Sequence, residues 1–228
     1  MIVIAKQPVA GKVKTRLYPD LSYQQAADAA AAALRDTVRV ASTVRAGRHL
    51  LAFDGDPTGW APAPWSVVAQ PAGGLAQRLM AAFAAAAPGP ALLIGMDTPQ
   101  VAQRQLNDFD PERYDACLGL AADGGYWAIG FREPTAHAGT IGGVAMSTSH
   151  TGADQLGALR RAGLRVQLLD ELIDVDTFPD ALQVAALDPR TAFARTIRGF
   201  IAGADWVGGS LPTPVSVAPS GSAAERVG

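Results

Sequence analysis

The stretch ALLIGMDTPQVAQRQLNDF, residues 91–109, carries the decision about the fold. Its opening run of apolar residues reads as a strand buried on both faces, because no polar residue alternates within it. Asp97 stands where that strand ends. Residues 98–109 then read as a short helix with Pro99 in its first turn, where a missing N–H costs nothing. A strand that leads directly into a helix is the repeating unit of a sheet covered by helices.

The same unit recurs on both sides. Upstream, MIVIA (1–5) reads as a strand, and SYQQAADAAAAALRDTVRVAS (22–42) as a helix with Ser22 as its N-cap. HLLAF (49–53) and WSVVAQ (65–70) are further strands, the first ending at the turn-forming DGDP. GLAQRLMAAFAAAA (74–87) is a helix stopped by PGP. Downstream, ACLGLAAD and YWAIGF read as two strands joined through Gly124 and Gly125. TGADQLGALRRAG (151–163) is a helix ending at Gly163, LRVQLL (164–169) a strand, and residues 188–204 a last helix. The expected fold is α/β, with a mainly parallel sheet between helices, as one domain over residues 1–207. Residues 208–228 are rich in Gly, Pro, Ser and Ala without apolar period, and a disordered tail is expected there.

Composition narrows the function. The 228 residues are 49% hydrophobic and 18% charged, with a formal net charge of −2. A sizeable core is within reach, and the net charge argues against a broad nucleic-acid surface, which needs a basic face. The alanine-rich stretches are broken by Asp28, Arg35 and Asp36 or by Pro88 and Gly89, so no membrane span is expected. Cys117 is alone, which leaves no disulfide framework and no cysteine metal cluster. The first residues lack the pattern of a secretory signal, and a cytoplasmic location is expected.

Open parallel sheets bind ligands beyond the carboxyl ends of their strands, so the segments after MIVIA and ALLIGM need the closest reading. After the first strand, Lys6, Lys12, Lys14 and Arg16 gather around Pro8 and Gly11. This is not a Walker loop, because Lys6 stands where its first glycine belongs and Val13 follows Lys12. Gly11 still allows close backbone approach, and Lys6, Lys14 and Arg16 supply fixed charge suited to a diphosphate. Asp97 either caps the following helix or holds a divalent ion against phosphate oxygens. Asp174 and Asp176, one residue apart, project to one side of an extended segment and repel unless a cation lies between them. Asp180 belongs to the first turn of the next helix. Arg78 follows Gly73 and Gly74 within a turn or so of a helix start, a place that suits an anion or an ordinary surface arginine. Asp123 before two glycines is the chemistry of a hairpin turn. His49, His137 and His150 read as structural, although His150 lies where a third metal ligand or a cap would serve.

The order of these elements resembles the DUF2064 family, grouped with GT-A-type nucleotide-diphospho-sugar transferases. Lys6, Pro8, Gly11, Lys14, Thr15, Arg16 and Leu17 match its opening pattern, and GGLAQRLMAAF matches its glycine-led helix. Gly95, Asp97 and Pro99, then Asp123 to Tyr126, then Asp174 to Thr177, match three further elements across roughly residues 1–190. The chain departs at Ala10, where proline is common, and at Met146–Thr148, where the family shows a Trp-Ser-Thr-like stretch. The resemblance implies a three-layer α/β/α sandwich and a metal-dependent transferase acting on a nucleotide sugar and a small-molecule acceptor. Lys6, Gly11, Lys14, Arg16 and Arg78 would then bind the diphosphate, and Asp97 with Asp174 or Asp176 would hold Mg²⁺ or Mn²⁺. Asp123 would orient or deprotonate the acceptor. The opening also resembles phospholactate guanylyltransferase-type enzymes, which implies an alternative: a nucleotidyltransferase taking an NTP and releasing pyrophosphate. A nucleotide-binding domain without catalysis is the third possibility.

Overall fold

Side-chain period explains how the strands sort the core. Along β1 (Ile2–Lys6), Ile2 packs into one apolar cluster and Val3 into another, and β2 (Leu50–Asp54) and β4 (Ala91–Ile94) repeat the alternation. These three central strands are buried on both sides because helices cover both faces of one sheet. This computed structural model describes residues 1–86 and 88–203. The tail expected over residues 208–228 lies outside the described residues.

The remaining strands are β3 (Ser66–Ala69), β5 (Ala116–Ala121), β6 (Tyr126–Phe131) and β7 (Val166–Leu172). The sheet runs β3-β2-β1-β4-β6-β5-β7. β6 pairs antiparallel with β4 and β5, and the other pairings are parallel. From β1 the chain fills one side with β2 and β3, then returns to place β4 on the other. That reversal opens a crevice at the carboxyl ends of β1 and β4, the usual ligand place in such sheets.

On one face lie α1 (Tyr23–Ala41) and the short α3 (Gln103–Asn107); on the other lie α2 (Leu75–Ala86) and α5 (Thr151–Arg161). Ser22 starts α1 through a capping box, accepting from the Gln25 N–H while its own N–H donates to Gln25 Oε1. The alanines of α1 have a packing cause. Ala27, Ala30 and Leu34 face the sheet, while Ala26, Ala29 and Ala33 face α6 (Phe178–Leu187) and α7 (Ala192–Gly203). A helix pressed between a sheet and two further helices needs small side chains on both flanks. A one-turn helix α4 (Pro134–His137) and the 3₁₀ turns Thr15–Leu17 and Ala138–Gly143 complete the described elements. Among the described residues no helix is long and apolar enough to cross a membrane.

One expectation fails locally. Pro99 is not in the first turn of a helix, because α3 begins at Gln103. The Val101 N–H closes a turn onto the Thr98 carbonyl, and the Gln100 side chain donates to the Ile173 carbonyl at 2.7 Å. The local turn and the bond to the distant Ile173 together hold residues 98–101 out of helical geometry.

Candidate functional site

The loop after β1 is built to aim one lysine inward. Gly11 takes a left-handed conformation, φ 73°, and the Lys12 N–H bonds the Val9 carbonyl. Lys6 Nζ donates to the Lys12 carbonyl at 3.1 Å, which braces the loop from the strand end. Val13 and Leu17 are buried on either side of Lys14, itself a non-glycine residue at φ 47°. Such backbone is strained for a residue with a Cβ and persists where its surroundings over-determine it.

Those surroundings are carboxylates. Lys14 Nζ lies 2.6 Å from Asp97 Oδ1 and 3.3 Å from Asp176 Oδ1. Arg16 Nη1 reaches Asp176 Oδ2 at 3.2 Å, with its side chain 76% exposed against 10% for Lys14. Burial works against the Lys14 ammonium, but Asp97 and Asp176 outweigh it and hold the pKa above the ordinary lysine value. Asp97 therefore does not cap α3: its carboxylate pairs with Lys14, while its carbonyl accepts from the Val175 N–H at 3.0 Å. Asp174 is different. Its Oδ1 is buried without a hydrogen-bond partner among the described residues. Burial first, then the Asp97 charge, raise its pKa to about 7 against the opposing pull of Lys14, with Asp123 and Asp176 adding to the rise.

A cleft of about 980 Å³ joins these groups, toward the large end for a small-molecule site. It takes in Lys6, Lys14, Arg16 and Arg78, and with them Asp97, Asp123, Asp174 and Asp176. Gly11 is not part of its lining, and His150 stands outside it, bonding Asp154 at 2.6 Å. Asp180 borders the cleft, but its carboxylate accepts from the Thr177 N–H at 2.7 Å and starts α6, as the sequence suggests.

Arg78 is held by partners that local sequence did not reveal. It donates to Asp54 Oδ2 at 2.7 Å, to the Gly73 carbonyl at 3.1 Å and to Gln70 Oε1 at 3.3 Å. Gln70 in turn ties the ends of β1 and β2, donating to the Ala5 and Ala52 carbonyls at 2.7 and 2.9 Å. Its one sequence signal is a lone polar residue closing an apolar strand. The glycine turn also has a packing purpose. Asp123 Oδ1 accepts from the Gly125 N–H at 2.8 Å, and a Cβ at Gly124 would collide with the Ser149 carbonyl. The start of α5 sits directly on this turn, the Gly152 N–H bonding the Gly124 carbonyl at 2.8 Å.

The donor set suits a hard divalent cation such as Mg²⁺ or Mn²⁺, which prefers carboxylate oxygens, and the orphaned Asp174 oxygen is the kind of group a cation satisfies. Yet no group of three His, Cys, Asp or Glu side chains among the described residues is placed to hold a metal. The Lys14 ammonium already bridges two of the three aspartates.

Residues 25–148 match the model of a family described as "Uncharacterized protein conserved in bacteria (DUF2064)". Among solved structures, the chain is similar to a candidate nucleotide-diphospho-sugar transferase from Desulfovibrio desulfuricans G20. The TM-score is 0.78 and the identity 27%, over 88% of this chain and 94% of that one. A homolog of Mycobacterium tuberculosis Rv0371c from Mycobacterium sp. strain JC1 aligns at TM-score 0.50 and 16% identity, covering 86% of this chain and 96% of that one. The 4-diphosphocytidyl-2C-methyl-D-erythritol synthase of Anaerococcus prevotii DSM 20548 aligns at TM-score 0.51 and 10% identity, covering 78% and 93%. The last two likenesses concern the fold alone. No curated protein matches the chain.

Proposed function

The chain belongs to the DUF2064 family, and from that premise we propose that it is a transferase acting on a nucleotide sugar with a divalent cation in the cleft. The observation that carries this reading is the meeting of Lys14 with Asp97 and Asp176 at the carboxyl edge of the sheet, beside an unpaired Asp174 oxygen. The likeness to the Desulfovibrio protein supports a diphospho-sugar donor.

Charge balance argues for the cation. The cleft lining holds as many carboxylates as basic groups even without Asp180, and Lys14 is already paired. A diphosphate entering it meets little net attraction. When bound, Mg²⁺ or Mn²⁺ supplies charge against the phosphate oxygens and stabilises the departing nucleoside diphosphate. Asp97 would hold the ion, with Asp174 or Asp176 as a further ligand. Arg16, exposed at the rim, and Arg78, fixed by Asp54 and Gln70, present guanidinium groups to phosphate oxygens. Lys6 braces the loop and borders the cleft. Asp123 lines the same cavity with one carboxylate oxygen engaged in its turn, and we assign it to orient or deprotonate the acceptor hydroxyl. A cytoplasmic site of action fits the lone, buried Cys117.

A second reading has its own observation. Lys6, Pro8, Lys14, Arg16 and Leu17 resemble the opening of guanylyltransferase-type enzymes, in which an acceptor phosphate attacks an NTP. One assay separates the two. Incubation with Mn²⁺, an acceptor panel and either nucleotide sugars or NTPs should release nucleoside diphosphate from the former. Pyrophosphate from the latter selects the nucleotidyltransferase, and nucleotide binding without turnover removes both.

A further inference from the structure

Lys14 stands where a metal ion would need to be. Its ammonium is within bonding distance of carboxylates from two segments, at 2.6 and 3.3 Å, and only 10% of its side chain is exposed. Two carboxylates brought this close repel unless a positive charge lies between them, and here the charge is covalently part of the chain. A divalent cation takes carboxylate oxygens at about 2.0–2.6 Å. It cannot share that space with an ammonium, whose charge has the same sign. The lysine stem is long and flexible, and its backbone at φ 47° is held in a conformation that costs energy for a residue with a Cβ.

We infer that Lys14 is the resident counter-ion of Asp97 and Asp176, and that a divalent cation binds there by displacing its ammonium into the cleft. The inference rests on the proposed function for the identity of the cation. The displaced ammonium then faces the phosphates of an arriving donor instead of Asp97. Metal and donor thus bind in a coupled way: the ion frees the lysine, and the donor's phosphates give the lysine a new partner. In the absence of both, the internal ion pair keeps the carboxylates neutralised.

The chain contains three lysines, Lys6 at the end of β1 and Lys12 and Lys14 in the loop after it, and the first and second are exposed. Brief labelling with acetic anhydride, read by mass spectrometry of the Arg-bounded N-terminal peptide, therefore measures Lys14 against Lys12 as an internal reference. Without metal, Lys14 should label far more slowly than Lys12. Mn²⁺ alone should raise the Lys14 rate about tenfold and leave Lys12 unchanged; a nucleoside diphosphate added with Mn²⁺ should slow Lys14 again. In calorimetry with Mn²⁺ alone, Lys14→Gln should bind the ion about tenfold tighter than wild type, with thermal unfolding used to verify that the variant is folded. Lys14→Arg, which keeps the charge, should not. Lys14 labelling that is unchanged or slowed by Mn²⁺ overturns the displacement, as does Lys14→Gln binding Mn²⁺ no better than wild type. If transfer from a nucleotide sugar is nevertheless observed, only this inference falls. If Mn²⁺ frees Lys14 but no donor is turned over, the exchange stands and the proposed reaction falls.

Discussion

Lys14 and Asp176 lie 162 residues apart in the chain, yet the ammonium of one stands 3.3 Å from a carboxylate oxygen of the other. The contact depends on a return path. β7 is at the far edge of the sheet from β3, and the chain leaving it comes back to β4, where the Val175 N–H bonds the Asp97 carbonyl. One rim thereby collects a basic loop from the beginning of the chain and two acidic segments from its middle and end.

Asp97→Ala tests that rim most directly. It removes the nearer partner of Lys14 and a carboxylate assigned to the cation. Calorimetric titration with nucleotides and nucleotide sugars should show Mn²⁺-enhanced binding in wild type and none in the variant. Transfer should fall by about a hundredfold or more. Equal metal-dependent binding by variant and wild type would place the ion elsewhere.

Asp174 predicts a pH effect of defined sign. Its pKa rises from 3.8 to about 7 on folding, chiefly through burial and then the Asp97 charge. Its contribution to stability is thus fully present below about pH 4 and is lost as pH rises through about 7. Asp174→Asn, which cannot ionise, should be more stable than wild type at pH 8 by on the order of 3 kcal/mol. That advantage should shrink steadily between pH 7 and pH 4 in metal-free urea unfolding. A difference that stays constant with pH contradicts the assignment.

Two glycines separate packing from ligand approach. Gly124 sits at φ 90° with the Ser149 carbonyl in the place of a Cβ, whereas Gly11, at φ 73°, has open space there. Gly124→Ala should displace the start of α5 and cost more than about 2 kcal/mol, against about 1 kcal/mol of backbone strain for Gly11→Ala. Chemical denaturation of the two variants side by side gives the comparison. Should Gly11→Ala lose nucleotide affinity at full stability, Gly11 approaches the ligand after all.

Asp36 is a stability residue away from the cleft. Buried at 3% exposure, it accepts from the Phe193 N–H at 2.8 Å at the start of α7. Asp36→Ala leaves that N–H without its carboxylate, and we expect a loss of about 2 kcal/mol in urea unfolding with activity per folded molecule unchanged. An unaltered midpoint would mean that α7 is not anchored there.

Much of the framework is legible in local pattern. The buried strands announce themselves as apolar runs, Ser22 as a cap, Asp180 as part of a helix start, and the basic loop by its position after the first strand. These features depend on neighbours within a few residues, where period and backbone propensity act. Asp97 shows where that reach ends. Its sequence context suits a helix cap as well as an ion site, and the choice between them is made by Lys14 and Val175, neither of which is near it in the chain. Arg78 is similar, since Asp54 and Gln70 hold it from two other strand ends.

Alternation of strand and helix, the places where strands end in charge, and the succession of motifs were therefore written into the order of residues, because each follows from hydrophobic period and short-range backbone preference. Which charges meet, which aspartate stays unpaired and which glycine yields to a neighbour's backbone came from the closing of the sheet. Electrostatic pairing acts over a few ångströms of space, and only packing brings residues 14, 97 and 176 within that range.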